Sequence, residues 1–498
     1  MDQFPGKPFC AALCYNVRHM IRRLRKSKYF LPAVIVLLAV GIIGAYLIRA
    51  SKTPRKPIAI PFSFTEMQPL SFLPNTCAIK DYGAIGDGAT LDTKAFQAAI
   101  DDCAQKGGGT VEVSSGTFLT GAIRLKSNID LHLADGSRVL FSANPDDYLP
   151  AVFTRWEGIE LYNYSPLIYG QNIQNVAITG KGTLDGQGQI WLPWKDRATE
   201  AAQHLYDMAR NGVPVEQRIF ATQNDALRPS FIEFINAQNV RLENFSITNS
   251  PMWTIHPLYS ENVLMRDLHI STTGENTDGI VIDSSKNVLV EDSELSTGDD
   301  AISIKSGLDQ DGLRVGRPSE NIVIRDSIID DGHSGVAIGS EMSGGVRDVL
   351  LQNLKINNVD QGIRIKSALG RGGVVENIWA DEINVIGTKS GIGSAENSAF
   401  QIDLGYDAAT TVSSNNDIPV LHNFYITGLR VGQAQYIVFI KGLKESVLKN
   451  ISFTDTQGAS KLGVHLENCD KVSFSQTSIS AEKNSKLFKI KNCSNVSR

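Results

Sequence analysis

One recurring pattern limits the fold of this chain more than any other. An Asn, or a residue standing in for it, opens a short run in which every second residue is apolar. Clear cases are Asn175-Val-Ala-Ile, Asn239-Val-Arg-Leu, Asn262-Val-Leu-Met, Asn287-Val-Leu-Val and Asn321-Ile-Val-Ile. The series continues at Asp348, Asn377, Asn423, Asn450, Lys471 and Asn495. From Asn239 the steps are 23, 25, 34, 27, 29, 46, 27, 21 and 24 residues, the 46 reading as close to two units. Alternation with a period of two specifies strands, not helices. Strand units of this length, with no helical pattern between them, predict a parallel β-helix. Its coils stack ~4.8 Å apart and bury one continuous core. Asn suits the repeated turn because it tolerates a left-handed backbone and can ladder with its neighbours. A β-propeller needs longer, more regular four-stranded units, and no LxxLxL pattern points to a leucine-rich repeat.

The one clear helix signal is Asp92 to Lys106. Asp92 or Thr93 can cap it, Ala95, Phe96, Ala99, Ile100 and Cys103 form its apolar stripe, and Gly107-Gly108-Gly109 stops it. A helix there would cover the open first coil, as a solenoid requires. Trp194 to Arg228 interrupts the repeat, with a helical stretch at Ala201 to Arg210, and is expected to project over one face.

Upstream, Phe30 to Ile48 is a charge-free run of 19 residues. As a helix it would span roughly 28 Å, about one hydrocarbon core. The dense basic cluster before it, Arg18 to Lys28, places the N-terminus inside and the remainder outside. The expectation is a basic cytoplasmic segment (1–29), a transmembrane signal-anchor or a cleaved signal peptide (30–48), a Pro-rich linker (49–75) and an exported β-helix domain (76–498). The 498 residues carry 48 Lys+Arg against 53 Asp+Glu, so no basic surplus suggests a nucleic-acid partner. The six cysteines make neither a zinc pattern nor a disulfide scaffold, although Cys77 and Cys103 could bridge if exported.

Four charged motifs fall about one coil apart: Asn276-Thr277-Asp278, Gly298-Asp299-Asp300, Gly332-His333-Ser334 and Arg364-Ile365-Lys366. Asp299 follows Asp278 by 21 residues, His333 follows Asp300 by 33, and Arg364 follows His333 by 31. Each alone reads as a turn, a solvated loop or a charged strand face. Together, at coil spacing, they stack three carboxylates, an imidazole and two cations into one patch. Crowded carboxylates cannot all ionise easily, so one should keep its proton beside an ionised partner, the pair that glycoside hydrolysis needs. Arg364 and Lys366 project to one side of a strand and suit a substrate bearing its own carboxylate.

These four motifs, in this order, resemble those of glycoside hydrolase family 28, the polygalacturonases, and the stretch Ser250-Pro-Met-Trp-Thr-Ile-His-Pro257 resembles one in its bacterial, often exo-acting branch. Ser334 stands where that family has Gly. The opening Asp81-Tyr-Gly-Ala-Ile-Gly-Asp-Gly88 is similar to the start of pectate-lyase-like β-helices. The resemblance implies an all-β, single-stranded, right-handed parallel β-helix with an N-terminal capping helix. It implies Asp299 as general acid, Asp278 and Asp300 as bases activating water, and His333 as the group that orients the acid. Arg364 and Lys366 would bind the galacturonate carboxylate on the leaving-group side, with Asn276 and Tyr406 as further substrate contacts. The implied activity is inverting hydrolysis of α-1,4-galacturonan and pectic oligosaccharides, exo-acting from the non-reducing end, with no metal or cofactor. Trp253 could stack on sugar and His256 could touch it, or both could simply pack in the core. Rival readings are an endo-polygalacturonase, a rhamnogalacturonan-type hydrolase, a polysaccharide lyase using Ca²⁺, and a non-catalytic carbohydrate-binding β-helix.

Overall fold

The turn residues set the winding. In the computed structural model all eleven repeat positions, from Asn175 to Asn495, have φ between 52° and 65°, the left-handed region that Asn occupies at least cost. The side chains then ladder: Asn239 Nδ2 donates to Asn175 Oδ1 at 2.9 Å, Asn262 to Asn239 at 3.1 Å, and Asn287 to Asn262 at 2.6 Å. The structure describes residues 59–389, 397–406 and 417–498. The expected membrane or signal segment, 30–48, lies outside them. Among the described residues no helix is long and apolar enough to cross a membrane.

Three parallel faces result. Ile232–Ile235, Ile255–Leu258, Ile280–Asp283 and Ile302–Lys305 stack in register on the first face. Gln238–Glu243, Glu261–Arg266, Lys286–Glu291 and Ser319–Arg325 form the second. Ser246–Thr248, His269–Ser271 and Glu294–Ser296 form the third. Register aligns Val240, Val263, Val288, Ile322, Val349, Ile378, Phe424, Ile451 and Val472 in one buried inward row. Each coil thus buries its apolar side against the next, and the protein is a parallel β-helix, as the sequence pattern predicts.

The 46-residue step is one coil, not two. Asn423 donates directly to Asn377 at 3.1 Å, and Ile378 pairs with Phe424. The extra length leaves the coil as loops, so residue spacing overstates the coil count. Helix α1 (Thr93–Gln105) buries the expected stripe, with the Phe96 ring edge-on to Phe118. The Asp92 carboxylate accepts from the Ile85 and Gly86 amides, at 2.8 and 3.1 Å, and does not cap the helix. The latter part of the Pro-rich linker lies along the coils. Asn287 accepts from Thr65 N–H and donates to Thr65 C=O, both at 3.0 Å, giving an extended segment its missing partners. Cys77 and Cys103 are buried free thiols, and the Cys469 and Cys493 thiols touch across adjacent coils at 2.7 Å.

A hairpin that the repeat pattern does not distinguish covers the earlier coils of the first face. Val152–Trp156 pairs antiparallel with Ile159–Asn163, and Ile219–Phe220 adds a short edge strand. Buried polar contacts fix it: Arg155 to Asp283 at 2.8 Å, Thr154 to Glu233 at 2.6 Å, and Tyr259 to Glu160 at 2.6 Å. The insertion folds as α2 (Trp194–Arg197) and α3 (Thr199–Arg210). Trp194 is buried against Trp191 and Tyr164.

Candidate active site

Consecutive coils deliver the charged motifs to one place. Asp278 ends the turn before Ile280–Asp283, Asp299 and Asp300 end the turn before Ile302–Lys305, and His333 lies on Ile328–Ile338. Backbone bonds lock these coils together: Gly279 N donates to Asp300 O at 3.1 Å and Ala301 N to Ser334 O at 2.8 Å. Glycine is required at 298, because a Cβ there would stand 2.2 Å from Gly274 O. Ser334, the departure from the family motif, points inward and is fully buried while His333 faces the cleft. The substitution therefore leaves the imidazole in place.

The site is a pocket of about 270 Å³, whose lining includes Asn276, Asp278, Asp299, Asp300, His333, Lys366 and Tyr406. His333 Nδ1 is 3.7 Å from Asp299 and 4.0 Å from Asp300, and its Nε2 is 3.4 Å from Asp360. Lys366 Nζ donates to Asp300 at 2.9 Å. The Arg364 and Lys366 cations lie 5.1 and 5.2 Å from the centre of the Tyr406 ring, so the three residues sit together. Arg364 is nine-tenths buried, and its Nε and Nη1 have no hydrogen-bond partner. Asn276 lines the pocket, but its side-chain oxygen is taken by Arg228 at 2.8 Å, while its N–H donates to Asp299 at 3.0 Å.

The three carboxylates differ electrostatically. Burial pushes the Asp278 pKa well above the usual range, and the charges of Asp299 and Asp300 add to this against the pull of Lys305. Burial also disfavours charge on Asp299. There the His333 hydrogen bond, the Lys366 charge and the Asn276 amide override it and hold the pKa well below the usual range. Asp300 is likewise desolvated, and Lys366 keeps it low. Asp278 is therefore the one of the three whose charged form is disfavoured, although Ser303 Oγ donates to its Oδ2 at 2.8 Å. Asp299, Asp300 and His333 also present one ligand atom each within 4.8 Å of one another, a spacing a cation could use.

Several pocket residues escaped the sequence reading. Lys305 is buried between Glu341 at 2.8 Å and Asp278 at 4.0 Å, its ammonium 4.9 Å from the Trp253 ring centre. It lies two residues beyond Ser303 on one strand, so the alternation that puts Arg364 and Lys366 on one side of theirs could have found it. Trp253 lines the pocket but is 2% exposed. His256 is fully buried, 3.5 Å from both Glu233 and Asp283, and cannot touch sugar. The rest of the lining comes from outside the coils: Glu157 from the hairpin tip, Lys195 from α2, Tyr206 from α3, and Arg371 from the Gly-rich segment after Lys366. Tyr206 O–H donates to Glu157 at 2.6 Å, tying the insertion to the hairpin.

A family model described as Glycosyl hydrolases family 28 matches residues 215–399, and one described as Rhamnogalacturonase A/epimerase, pectate lyase-like, matches residues 76–136. A probable polygalacturonase of Vitis vinifera is 33% identical over 354 residues, covering 69% of this chain and 67% of the relative. An exo-poly-alpha-D-galacturonosidase of Dickeya chrysanthemi is 31% identical over 327 residues, covering 60% of this chain and 53% of the relative. The crystal structure of a hyperthermoactive exopolygalacturonase from Thermotoga maritima superimposes with a TM-score of 0.76 at 39% identity, over 83% of this chain and 94% of that one.

Proposed function

The chain belongs to glycoside hydrolase family 28, and from that membership we propose that it hydrolyses α-1,4-galacturonosyl bonds and releases single galacturonate units from the non-reducing end. The similarity to polygalacturonases supports the reaction. One observation carries the mode of attack. The catalytic pocket is walled by Glu157, Lys195 and Tyr206, none of which belongs to a coil. The hairpin bearing Glu157 packs over the earlier coils through Arg155 and Asp283. A groove blocked on that side admits a chain end and refuses a continuing chain.

In this reading Asp299, the most exposed of the three carboxylates, protonates the glycosidic oxygen, and Asp278 and Asp300 activate water. Asp299 is held low while Asp278 is pushed up, so the acid role requires the Asp299 pKa to rise when substrate binds. The physical lever is Lys366, which depresses the pKa of Asp299 and Asp300 and also faces the leaving-group sugar. A substrate carboxylate arriving beside Arg364 and Lys366 cancels part of that field and raises the Asp299 pKa toward that of a general acid. Inversion at the anomeric carbon rests on family membership. Carboxylate oxygens of Asp299 and Asp300 within 4.8 Å are closer than the roughly 6.5–9.5 Å usual for inverting pairs. Proton NMR of the first product decides this, since inversion releases the β-anomer.

The charge-free run Phe30 to Ile48 supports export, with the chain held by an uncleaved anchor or released after cleavage. Fractionation and N-terminal sequencing of the mature protein separate the two. The mode of attack is tested by sizing early products from long polygalacturonate. Monomer alone is expected; a ladder of oligomers at low conversion means that the groove is open.

A further inference from the structure

We propose that Lys195 holds the carboxylate of the sugar in the closed end of the pocket, the non-reducing terminal galacturonate. The proposal rests on the exo reading above. Every unit of a galacturonan carries a carboxylate, and Arg364 with Lys366 serves only the leaving-group side. The sugar on the other side must enter a pocket already lined by Asp278, Asp299, Asp300, Glu157 and Glu341. An anion buried among these is repelled unless a cation meets it.

Among the described residues four Lys and Arg side chains line this space, and three are committed. Lys305 is 2.8 Å from Glu341, Lys366 is 2.9 Å from Asp300, and Arg371 is 2.9 Å from Asp309. Among the described residues the ion pair of Lys195 is with Glu157, at 3.8 Å, beyond hydrogen-bond length. Its side chain is 38% exposed, so the ammonium can swing without leaving a buried partner uncompensated.

The stem of Lys195 is well placed for this task. Its neighbour Trp194 is buried, 4.8 Å from the Trp191 ring and 5.8 Å from Tyr164, and fixes α2 against the molecule. Glu157 is held by Tyr206 and parks the ammonium near the pocket when no sugar is bound. Lys195 comes from the insertion, so the element that closes the pocket also supplies the charge that makes a terminal uronate welcome there. A neutral terminal sugar would fit the same space without that contact.

The test compares two trimers, trigalacturonate and the same trimer with its non-reducing terminal unit reduced to galactose. The wild-type protein should prefer the charged trimer. In Lys195→Gln the KM for trigalacturonate should rise roughly 10–150-fold, the worth of one charged hydrogen bond, with kcat nearly unchanged. The preference for a charged end should vanish, and Lys195→Arg should restore most of it. Two outcomes overturn the proposal while leaving the exo reading intact. One is monomer release by Lys195→Gln with an unchanged KM. The other is an equal rise in KM for both trimers, which marks a structural role. A ladder of products from the wild-type protein overturns the exo reading and the proposal with it.

Discussion

Replacing Lys305 with Met should move the pH dependence of catalysis toward the alkaline side. Lys305 Nζ is 4.0 Å from Asp278 Oδ2, and both groups are almost fully buried. At that distance, with an effective dielectric of 20, two unit charges interact by about 4 kcal/mol, equivalent to about three pKa units. The sign is fixed by the charges. Lys305 favours the ionised form of Asp278, whose pKa burial already pushes up. Removing the cation pushes it up further, and Asp278 then accepts a proton from water less readily at acidic pH. The ascending limb of kcat/KM against pH should shift upward by up to about three units. Met preserves most of the stem packed against Trp253. The substitution also strands the Glu341 carboxylate, which can cost about 3–5 kcal/mol of stability. The double variant Lys305→Met, Glu341→Gln removes that charge and keeps the measurement interpretable. The assay is initial rates on trigalacturonate across the acidic range, with Tm recorded for each variant. If both variants keep the wild-type limb, or shift it downward, Lys305 does not govern the charge of Asp278.

Asp299→Asn should lose roughly 10²–10⁴-fold in kcat with an unchanged Tm, and a variant retaining more than about a tenth of the activity would sink the general-acid role. Arg364→Ala, with its unpartnered donors removed, should raise KM for charged oligomers roughly 10–150-fold; an equal change on neutral galactose-containing oligomers would exclude a carboxylate contact. A chelator should leave the rate unchanged, whereas loss of activity reversed by Ca²⁺ would mean that the Asp299, Asp300 and His333 cluster works with a cation. Burial disfavours charge on His256, but Glu233 and Asp283 override it and raise its pKa from 6.5 to about 9. A raised pKa stabilises the fold fully below about 6.5 and is lost as pH climbs through about 9, so Tm should decline over that interval. In His256→Gln the decline should disappear; a wild-type Tm that stays level there contradicts a charged buried imidazole.

The sequence exposes what is repeated and local. A left-handed turn residue every coil is a constraint on one position, so Asn239 or Asn377 signals its coil without knowledge of the rest. The motif residues are legible for the same reason: one coil of separation puts Asp278 beside Asp299 whatever the loops do. Where one coil swells, the same logic misleads, as it did at the 46 residues from Asn377 to Asn423. Buried charge was the other blind spot. Arg155, Glu233 and Asp283 stand out in no motif, and His256 reads equally as a sugar contact or a core residue, yet all four are buried beneath the hairpin. Strand alternation says which side of a sheet a residue faces. It cannot say whether a later or earlier segment returns to cover that side.

That distinction also separates the two halves of the active site. The half that carries Asp278, Asp299, Asp300 and His333 is built by the stacking of consecutive coils, and that stacking follows from a short-range repeat in the chain. The half that closes the pocket is built by return. Glu157 meets Tyr206 across 49 residues through a hairpin and a helix that share no period with the coils. Trp194 to Arg228 announces itself only as a break in the pattern, which predicts that something projects but not what it carries. Asp299 is fixed to within a coil, because the turn that carries it is pinned between the paired strands Glu294–Ser296 and Ile302–Lys305. Nothing comparable fixes Lys195, whose place depends on how Trp194 packs against Trp191 and Tyr164. Mode of attack can therefore change by altering an insertion while the hydrolytic coils stay as they are. Shortening α2 and α3 should convert monomer release into internal cleavage before it lowers the rate of bond breaking.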